Sequence, residues 1–429
     1  METARAPVWL EAGLFFFAVF CFYLAGPRVD AGDPHFVIPT AVSIVRHGDA
    51  DIDEYRGQFP QAYWAVAKAR GHFWNVYPPG VPLLVVPMVG VADKAYAVFG
   101  RDLEAMTLQG PPLVLELVCS SFITALAAGL LFVYLRARLP LDRALLLAGL
   151  FAAGTAAYSS ASRGLYQHGP SMLLLACAIL LYERAVRGEW PAALWLGVCA
   201  GYTYTIRPAN LIVVVGFAVL VFFTARRRVA AYVVGALAGA APLFVFNLGA
   251  FGSWLSPYYE ATEATIWSFA VPVGPLSALL VSPSRGLFVF SPFLLFAGAR
   301  FLPYFRRRYP VAPLEILLAV LAVAWWFGTS RWRMWWGGAS YGPRLLCDLL
   351  PCLMVLLVPV AAELTLEAGW KRRSFTVLFV VAGVVSVAIQ LRGVNSPSTS
   401  EWNRTAVPID QAPERVWDWR DPQFLRGAR

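Results

Sequence analysis

Carboxylates and imidazoles are concentrated in one polar stretch near the start of the chain. Between residues 30 and 72 it holds six acids and three histidines: Asp30, Asp33, Asp49, Asp51, Asp53, Glu54, His35, His47 and His72. A carboxylate can take the proton of an attacking hydroxyl, and several carboxylates together can bind a divalent cation. Asp30 and Asp33 closely follow an apolar segment, where an acid is costly unless it has a partner or a task. The stretch is therefore the first candidate for a catalytic site.

The alternating acids Asp49, Asp51 and Asp53 do not form a calcium-binding loop. Counted from Asp49, the sixth position is Glu54 instead of glycine, and the twelfth is Pro60 instead of glutamate. Two interpretations remain: a solvated acidic loop, or a divalent-cation site with Asp49 and Asp51 as ligands. No other cofactor is indicated, because the chain lacks a Walker loop, a GxSxG elbow, an HExxH pair and a dinucleotide fingerprint.

Isolated arginines lie in aromatic or Gly/Pro-rich segments further along the chain. They are Arg163 with His168 in SRGLYQHGP, Arg207 in YTIRPAN, Arg285 in SPSRGLFVFSP, and Arg331, Arg333 and Arg344 in SRWRMWWGGASYGPR. Each one alone could extend from a helix end into the polar layer of a membrane. Together they suit a phosphorylated ligand, because a guanidinium donates two parallel hydrogen bonds to an anion and keeps its charge. The tryptophans of the last segment fit an interfacial belt, and aromatic faces also pack on sugar rings.

The rest of the chain has the composition of a membrane protein. Of 429 residues, 59% are hydrophobic and 14% are charged, compared with about 25% charged in soluble domains. Apolar runs recur at lengths of about 17–25 residues, enough to cross a bilayer as helices. The net charge of +9 comes from arginine clusters between apolar runs, which indicates membrane topology and not a nucleic-acid partner.

The apolar runs predict an all-α integral membrane protein with about eleven transmembrane helices. They fall near residues 8–26, 111–135, 143–160, 168–185, 190–206, 208–224, 229–250, 286–303, 311–328, 344–363 and 374–392. A cytoplasmic N-terminus places every arginine cluster on the cytoplasmic side. The outer face then holds the loop 27–110 and a tail 393–429, with residues 1–392 as one membrane domain. Residues 78–100, rich in proline at their start, are expected to form an interfacial or re-entrant helix.

Several sequence blocks, in this order, resemble the GT-C superfamily of polytopic glycosyltransferases. They are VDAGDPHFVIPTAVSIVRHGDADIDEY, FWNVYPPGVPLLVVP, SRGLYQHGPS, IRPANL, SRGLFVFSP and WWGGASYGPR, and they span roughly residues 10–360. Within the superfamily the resemblance is to the bacterial branch of the dolichyl-phosphate-mannose protein mannosyltransferase clan. It implies a bundle of transmembrane helices with interfacial helices in the first outer loop, in the cytoplasmic membrane of a bacterium.

The resemblance also implies roles for individual residues. The donor would be a polyprenyl-phosphate-linked sugar, and the acceptor a glycan, lipid or protein at the outer face. Asp33 would be the general base of an inverting transfer, because its distance in the chain to Ser43 and to the Gly48-Asp49 turn fits the spacing in the family. Asp30 would be second, since this chain has Asp33-Pro34 where related proteins carry two acids, which leaves Asp30 and Asp33 to share their role. The remaining roles would be donor-phosphate binding by Arg344, Arg285, Arg207 and Arg163, and substrate binding by His168, Tyr77, Trp336, Tyr341 and Glu54.

Two alternatives belong to other classes of protein. A ligase would move a preassembled glycan onto protein and would need a groove for polypeptide. A transporter or flippase would carry polar groups at mid-depth or on both faces, usually with inverted repeats, whereas the polar residues here collect at one face.

Overall fold

The structure is a computed structural model and describes residues 7–29, 32–60, 63–260, 272–367, 369–405 and 407–427. The helices are α1 Val8–Leu24, α2 Val37–Arg46, α3 Gly80–Val98, α4 Leu103–Leu108, α5 Leu113–Arg136, α6 Leu141–Ala153, α7 His168–Val186, α8 Trp190–Ile206, α9 Leu211–Thr224, α10 Val229–Ala250, α11 Pro257–Glu260, α12 Val273–Val281, α13 Leu287–Phe290, α14 Pro303–Arg308, α15 Pro313–Arg331, α16 Leu350–Leu356, α17 Val358–Ala362, α18 Trp370–Asn395 and α19 Pro397–Glu401. Two strands, β1 Val66–Ala69 and β2 His72–Asn75, form an antiparallel hairpin.

Shorter helical segments connect these elements. They are the 3-10 helices Asp53–Gln58, Pro208–Asn210, Arg226–Arg228, Pro292–Phe301, Arg344–Leu349, Pro413–Trp417 and Gln423–Leu425, and a π-helix at Ala157–Ala161. All eleven predicted segments are helical, although 208–224, 286–303 and 344–363 contain 3-10 turns and 143–160 ends in the π-helix. The fold is that of an all-α, multi-pass membrane protein.

Within the described residues, seven helices are long and apolar enough to cross a membrane. Six match predicted spans: Leu113–Arg136, His168–Val186, Arg226–Ala250, Pro313–Arg331, Arg344–Ala362 and Trp370–Asn395. The seventh is Gly80–Val98, for which the interfacial position remains a prediction. The other predicted spans are shorter helices here, and their crossing of the bilayer also remains a prediction.

The chain divides into two compact units. Unit 1 comprises Met1–Pro27, Thr124–Ser162 and Ile266–Arg429, and unit 2 comprises Arg28–Ile123 and Arg163–Thr265. The tail after α18 belongs to unit 1, and the predicted boundary at residue 392 remains a prediction.

Unit 2 is built on very close contact between α8 and α10. A Cβ added to Gly201 would lie 2.1 Å from the Ala236 carbonyl oxygen, and one added to Gly235 would lie 2.0 Å from that of Leu194. Each helix carries two glycines four residues apart, the spacing that lets helix backbones touch within membranes. The Thr205 hydroxyl also donates to the Gly239 carbonyl across this interface, at 2.8 Å.

The segment between α1 and α3 in unit 2 has its own small core. Phe36, Ile52, Tyr55, Phe59 and Ala65 are buried together. The hairpin beside them turns through Arg70 and Gly71, at φ of 52° and 90°, the pair of positive values that a two-residue type I′ turn requires. The segment is thus a folded layer that can hold side chains in fixed positions.

Unit 1 is held by buried polar pairs as well as by apolar packing. Arg300 donates to both carboxylate oxygens of Glu315, each at 2.8 Å. Glu363 accepts from the hydroxyls of Tyr304 and Tyr309, at 3.0 and 2.7 Å. Paired in this way, buried charges avoid the cost of isolation in a low-dielectric interior.

Candidate functional site

The predicted base Asp33 lies in the turn before α2 and is half-buried. A Cβ on the preceding Gly32 would lie 3.7 Å from the Trp64 ring. That ring meets Tyr77 edge-on, with centroids 5.9 Å apart, and Tyr77 lies 5.3 Å from the ring of Tyr258. The turn carrying Asp33 therefore leads into an aromatic cluster that includes one predicted substrate-binding residue. Asp30, the second candidate base, lies outside the described residues.

The Tyr77-Pro-Pro-Gly turn is pressed against the end of α8. A Cβ on Gly80 would come within 2.6 Å of the Thr205 carbonyl oxygen, so only glycine fits this contact. The Tyr202 hydroxyl donates to the Gly80 carbonyl at 2.9 Å. Because Arg207 follows α8 directly, two sequence blocks more than a hundred residues apart meet at this point.

The segment after α8 is also tied to the start of α7. The Asn210 side chain donates to the Ser171 hydroxyl at 2.9 Å and to the Thr203 carbonyl at 3.2 Å. His168, the first residue of α7, is buried. The predicted ligands His168 and Arg207 are thus carried by segments in direct contact.

Arg163 is buried, beside a carboxylate that the sequence reasoning did not select. Glu116, in the first turn of α5, accepts the backbone N–H of Leu165 at 3.0 Å and lies 3.2 Å from the position of a Cβ on Gly164. A buried carboxylate requires partners of this kind. The isolation of Glu116 within an apolar run was the signal that could have identified it.

The acidic run folds around His72. The His72 Nδ1 atom lies 2.8 Å from Asp53 and 3.1 Å from Asp51, and hydrogen bonding to Asp53 raises the pKa of the imidazole. Burial raises the pKa of the Asp51 carboxyl, and burial together with the charge of Asp51 raises that of Asp49. Like charges are held close together here, at an energetic cost that His72 offsets in its protonated form.

The same residues have a donor set that fits a hard divalent cation. Ligand atoms of Asp49, Asp51 and Glu54 lie within 4.8 Å of one another, as do those of Asp51, Asp53 and His72. Carboxylate oxygens with one imidazole suit Mg²⁺ or Mn²⁺. Glu54 also accepts from the buried Ser43 hydroxyl at 3.2 Å, which fixes its orientation. The solvated loop and the cation site both remain consistent with this geometry.

A second histidine joins the end of α2 to α4. The His47 Nε2 atom lies 2.7 Å from Glu104 and 3.9 Å from Glu54. The hydrogen bond to Glu104 raises the pKa of His47. Arg46 beside it pairs with Asp93 of α3, so ion pairs hold the end of α2 to α3 and α4.

In unit 1, Arg285 is fully buried and all five of its N–H groups are used. They donate to the carbonyls of Trp336, Ser284 and Gly338 and to the side chains of Gln423 and Asn403, at 2.6 to 3.0 Å. Burial lowers the pKa of Arg285 to about 9, so the group stays charged near neutral pH. Since its donors are taken by protein acceptors, we do not retain Arg285 among the phosphate-binding candidates.

The other predicted residues of unit 1 lie in the segment from residue 336 to residue 344, whose carbonyls at Trp336 and Gly338 bind Arg285. Arg344 is half-buried, and its Nη2 atom donates to the Gly337 carbonyl at 2.8 Å. The Trp336 indole donates to Asp410 at 2.7 Å. Tyr341 donates to the Ile389 carbonyl at 2.8 Å, which gives it a packing role against α18.

No protein-family model matches the chain, and no curated protein matches it. Two crystal structures of ArnT from Cupriavidus metallidurans are similar in fold. The one bound to undecaprenyl phosphate is 14% identical, with a TM-score of 0.52 over 97% of this chain and 75% of that one. The apo structure is 15% identical, with a TM-score of 0.51 over 97% and 74%.

The oligosaccharyltransferase of Archaeoglobus fulgidus in its apo form is 13% identical and has a TM-score of 0.49, over 98% of this chain and 60% of that one. With the helical architecture described above, the similarity to ArnT establishes the fold predicted from the sequence blocks. The chain has the fold of the ArnT structures, a multi-pass helical bundle of the GT-C type.

Proposed function

We propose that this protein is a glycosyltransferase that moves a sugar from a polyprenyl-phosphate donor to a glycan, lipid or protein acceptor at the outer face of the bacterial cytoplasmic membrane. The observation that carries the proposal is the similarity of 97% of the chain to ArnT, whose structure holds undecaprenyl phosphate. A polyprenyl donor needs lateral entry from the bilayer, which a multi-pass helical protein can provide.

Asp33 is proposed as the general base. Its carboxylate takes the proton of the acceptor hydroxyl while the acceptor oxygen bonds to the anomeric carbon. The bond from that carbon to the phosphate oxygen breaks on the opposite side, and the phosphate departs with the electron pair, so the configuration inverts. The half-buried position of Asp33, beside the turn that leads to Trp64 and Tyr77, supports this role.

The departing phosphate gains negative charge, and donors already in place stabilise that charge without reorganisation. Arg207, Arg163 and Arg344 are the residues proposed for this task. His168, Tyr77, Trp336 and Glu54 are proposed substrate contacts. Each retains its sequence-derived role, with the difference that Tyr341 and Arg285 are assigned here to holding the protein together.

A divalent cation at Asp49, Asp51 and Glu54 would supply positive charge for binding an anionic group. Transfer measured in EDTA, with and without added Mg²⁺ or Mn²⁺, separates the two interpretations of this cluster. A solvated loop predicts unchanged transfer, whereas a cation site predicts a loss that the metal reverses.

The function is tested by mass spectrometry of envelope glycans after deletion of the gene. We expect the loss of one sugar residue, restored by the wild-type gene and by the exposed control Asp418→Asn but not by Asp33→Asn. The purified protein in nanodiscs should consume one of a panel of undecaprenyl-phosphate sugars. Loss of an entire preassembled glycan would favour the ligase, and unchanged glycans with no donor consumed would refute the proposal. Full activity in both Asp33→Asn and Asp30→Asn would refute the choice of base.

A further inference from the structure

The loop before Arg344 has a backbone that cannot hold its own shape. Gly337, Gly338 and Gly342 have φ of 75°, 63° and 61°, in the left-handed region that glycine enters freely. Glycine also loses the most conformational entropy on folding. The loop therefore needs bonds from outside to fix the backbone that carries Arg344.

Three buried side chains supply those bonds, and two of them come from the C-terminal tail. Arg285 binds the carbonyls of Trp336 and Gly338 at 2.6 and 3.0 Å. Asn403 and Gln423 both donate to the Ser340 carbonyl, at 3.1 and 3.0 Å. The Gly342 N–H donates to the Gln423 side-chain oxygen at 3.1 Å. Alternate residues of the loop are thus held from residue 336 to residue 342.

The three side chains are also bonded to one another. Arg285 donates to the Gln423 and Asn403 oxygens, each at 2.8 Å. Each amide accepts from the guanidinium with its oxygen and donates to a loop carbonyl with its nitrogen, which a carboxylate cannot do. The amides are required as amides, and a charge at either position would oppose a carbonyl oxygen.

The tail that presents these amides is a folded element. Trp402 is buried, and two guanidinium groups lie over its ring, that of Arg415 at 4.7 Å and that of Arg285 at 5.9 Å from the centroid. Ile409 and Val416 complete its apolar cluster. Arg392, at the end of α18, binds the carbonyls of Phe424 and Arg426.

We propose that the C-terminal tail positions the donor-phosphate ligand Arg344, with Gln423 and Asn403 acting through Arg285 and the glycine loop. The inference rests on the proposed function for the role of Arg344. It gives the tail a part in the reaction that its sequence did not indicate.

Gln423→Leu tests this, with Gln411→Leu as a control at an exposed tail position. Hydrogen exchange of residues 336–346 should rise in Gln423→Leu and stay unchanged in the control. The kcat for sugar transfer should fall about tenfold or more. Gln423→Glu keeps the acceptor oxygens and loses the donors, so its kcat should lie between those of the Gln411→Leu control and Gln423→Leu. This variant guards against a misfolded Leu variant.

A double-mutant cycle with Arg344→Gln separates positioning from general stability. If Gln423 acts through Arg344, then Gln423→Leu should reduce kcat little further in the Arg344→Gln background. Multiplying losses, or unchanged exchange of the loop, would overturn the proposal. A wild-type protein that transfers no sugar would refute the proposed function. The exchange experiment would still report whether Gln423 and the tail fix the glycine loop.

Discussion

The packing of α8 against α10 makes a sharp prediction about glycine substitutions. In Gly235→Ala, the new methyl group would lie 2.0 Å from the Leu194 carbonyl oxygen, about 1.2 Å closer than a carbon and an oxygen tolerate. The contact is with backbone, so the helices themselves must separate. A gap of 0.5–1 Å forfeits roughly a quarter to a half of the dispersion energy across it, and overpacking costs about 1–3 kcal/mol.

We therefore expect Gly235→Ala to destabilise the protein by about 3 kcal/mol. At roughly 2.1 cal/mol/K per residue for a chain of this length, the unfolding midpoint would fall by about 3 °C. The matched control is Gly249→Ala in the same helix, where nothing lies within 4 Å of the added Cβ.

The control should have the opposite sign, because alanine is favoured over glycine within a helix by about 0.5–1 kcal/mol. Thermal unfolding in detergent, followed by intrinsic fluorescence, compares the two variants. Equal midpoints for Gly235→Ala and Gly249→Ala would refute the close backbone contact, whatever their position relative to wild type.

Three further predictions concern the close contact at Gly80, the ion pair of His47 and the C-terminal tail. Gly80→Ala should reduce sugar transfer strongly, as measured on purified protein. Gly90→Ala in the same helix should not, because its added Cβ would meet only the Val45 side chain, at 4.0 Å. The hydrogen bond to Glu104 raises the pKa of His47 above its ordinary value of 6.5. Protonated His47 therefore stabilises the folded state fully below pH 6.5, and this contribution is lost as pH rises through the higher pKa of the folded state. Over that range the unfolding midpoint of wild type should drop more than that of His47→Gln. Arg285→Lys, which cannot make five hydrogen bonds, should expose the tail to protease. An intact tail in this variant would contradict the role of Arg285 in holding it.

The helices were predictable because a membrane allows little else. Backbone groups in lipid must bond within the helix, so the apolar runs fix the helical segments, and all eleven are helical in the structure. The hairpin at Val66–Asn75 was missed, although Arg70-Gly71 between short alternating segments was its signal. Each strand has only four residues, which is too short for an alternation of apolar and polar residues to identify it.

The sequence blocks marked the segments of the candidate site, but they did not predict the contacts between those segments. The sequence marked the segments of Tyr77 and Arg207 separately, but only the fold brings Gly80 to within 2.6 Å of the Thr205 carbonyl oxygen, measured from its added Cβ. Such a contact depends on the angle between α3 and α8. No local pattern encodes that angle, so the order of the blocks suggested a site whose geometry had to be observed.

Arg285 shows why charge alone could not sort the arginines. Arg207, Arg285 and Arg344 look alike as cations between apolar runs. Neutral partners decide the role of Arg285, since Asn403 and Gln423 carry no charge and follow it by more than a hundred residues. An arginine whose five N–H groups all bind protein acceptors stabilises the fold and has no donor left for a phosphate. Such partners lie far away in the chain, so the sequence block around an arginine does not reveal them.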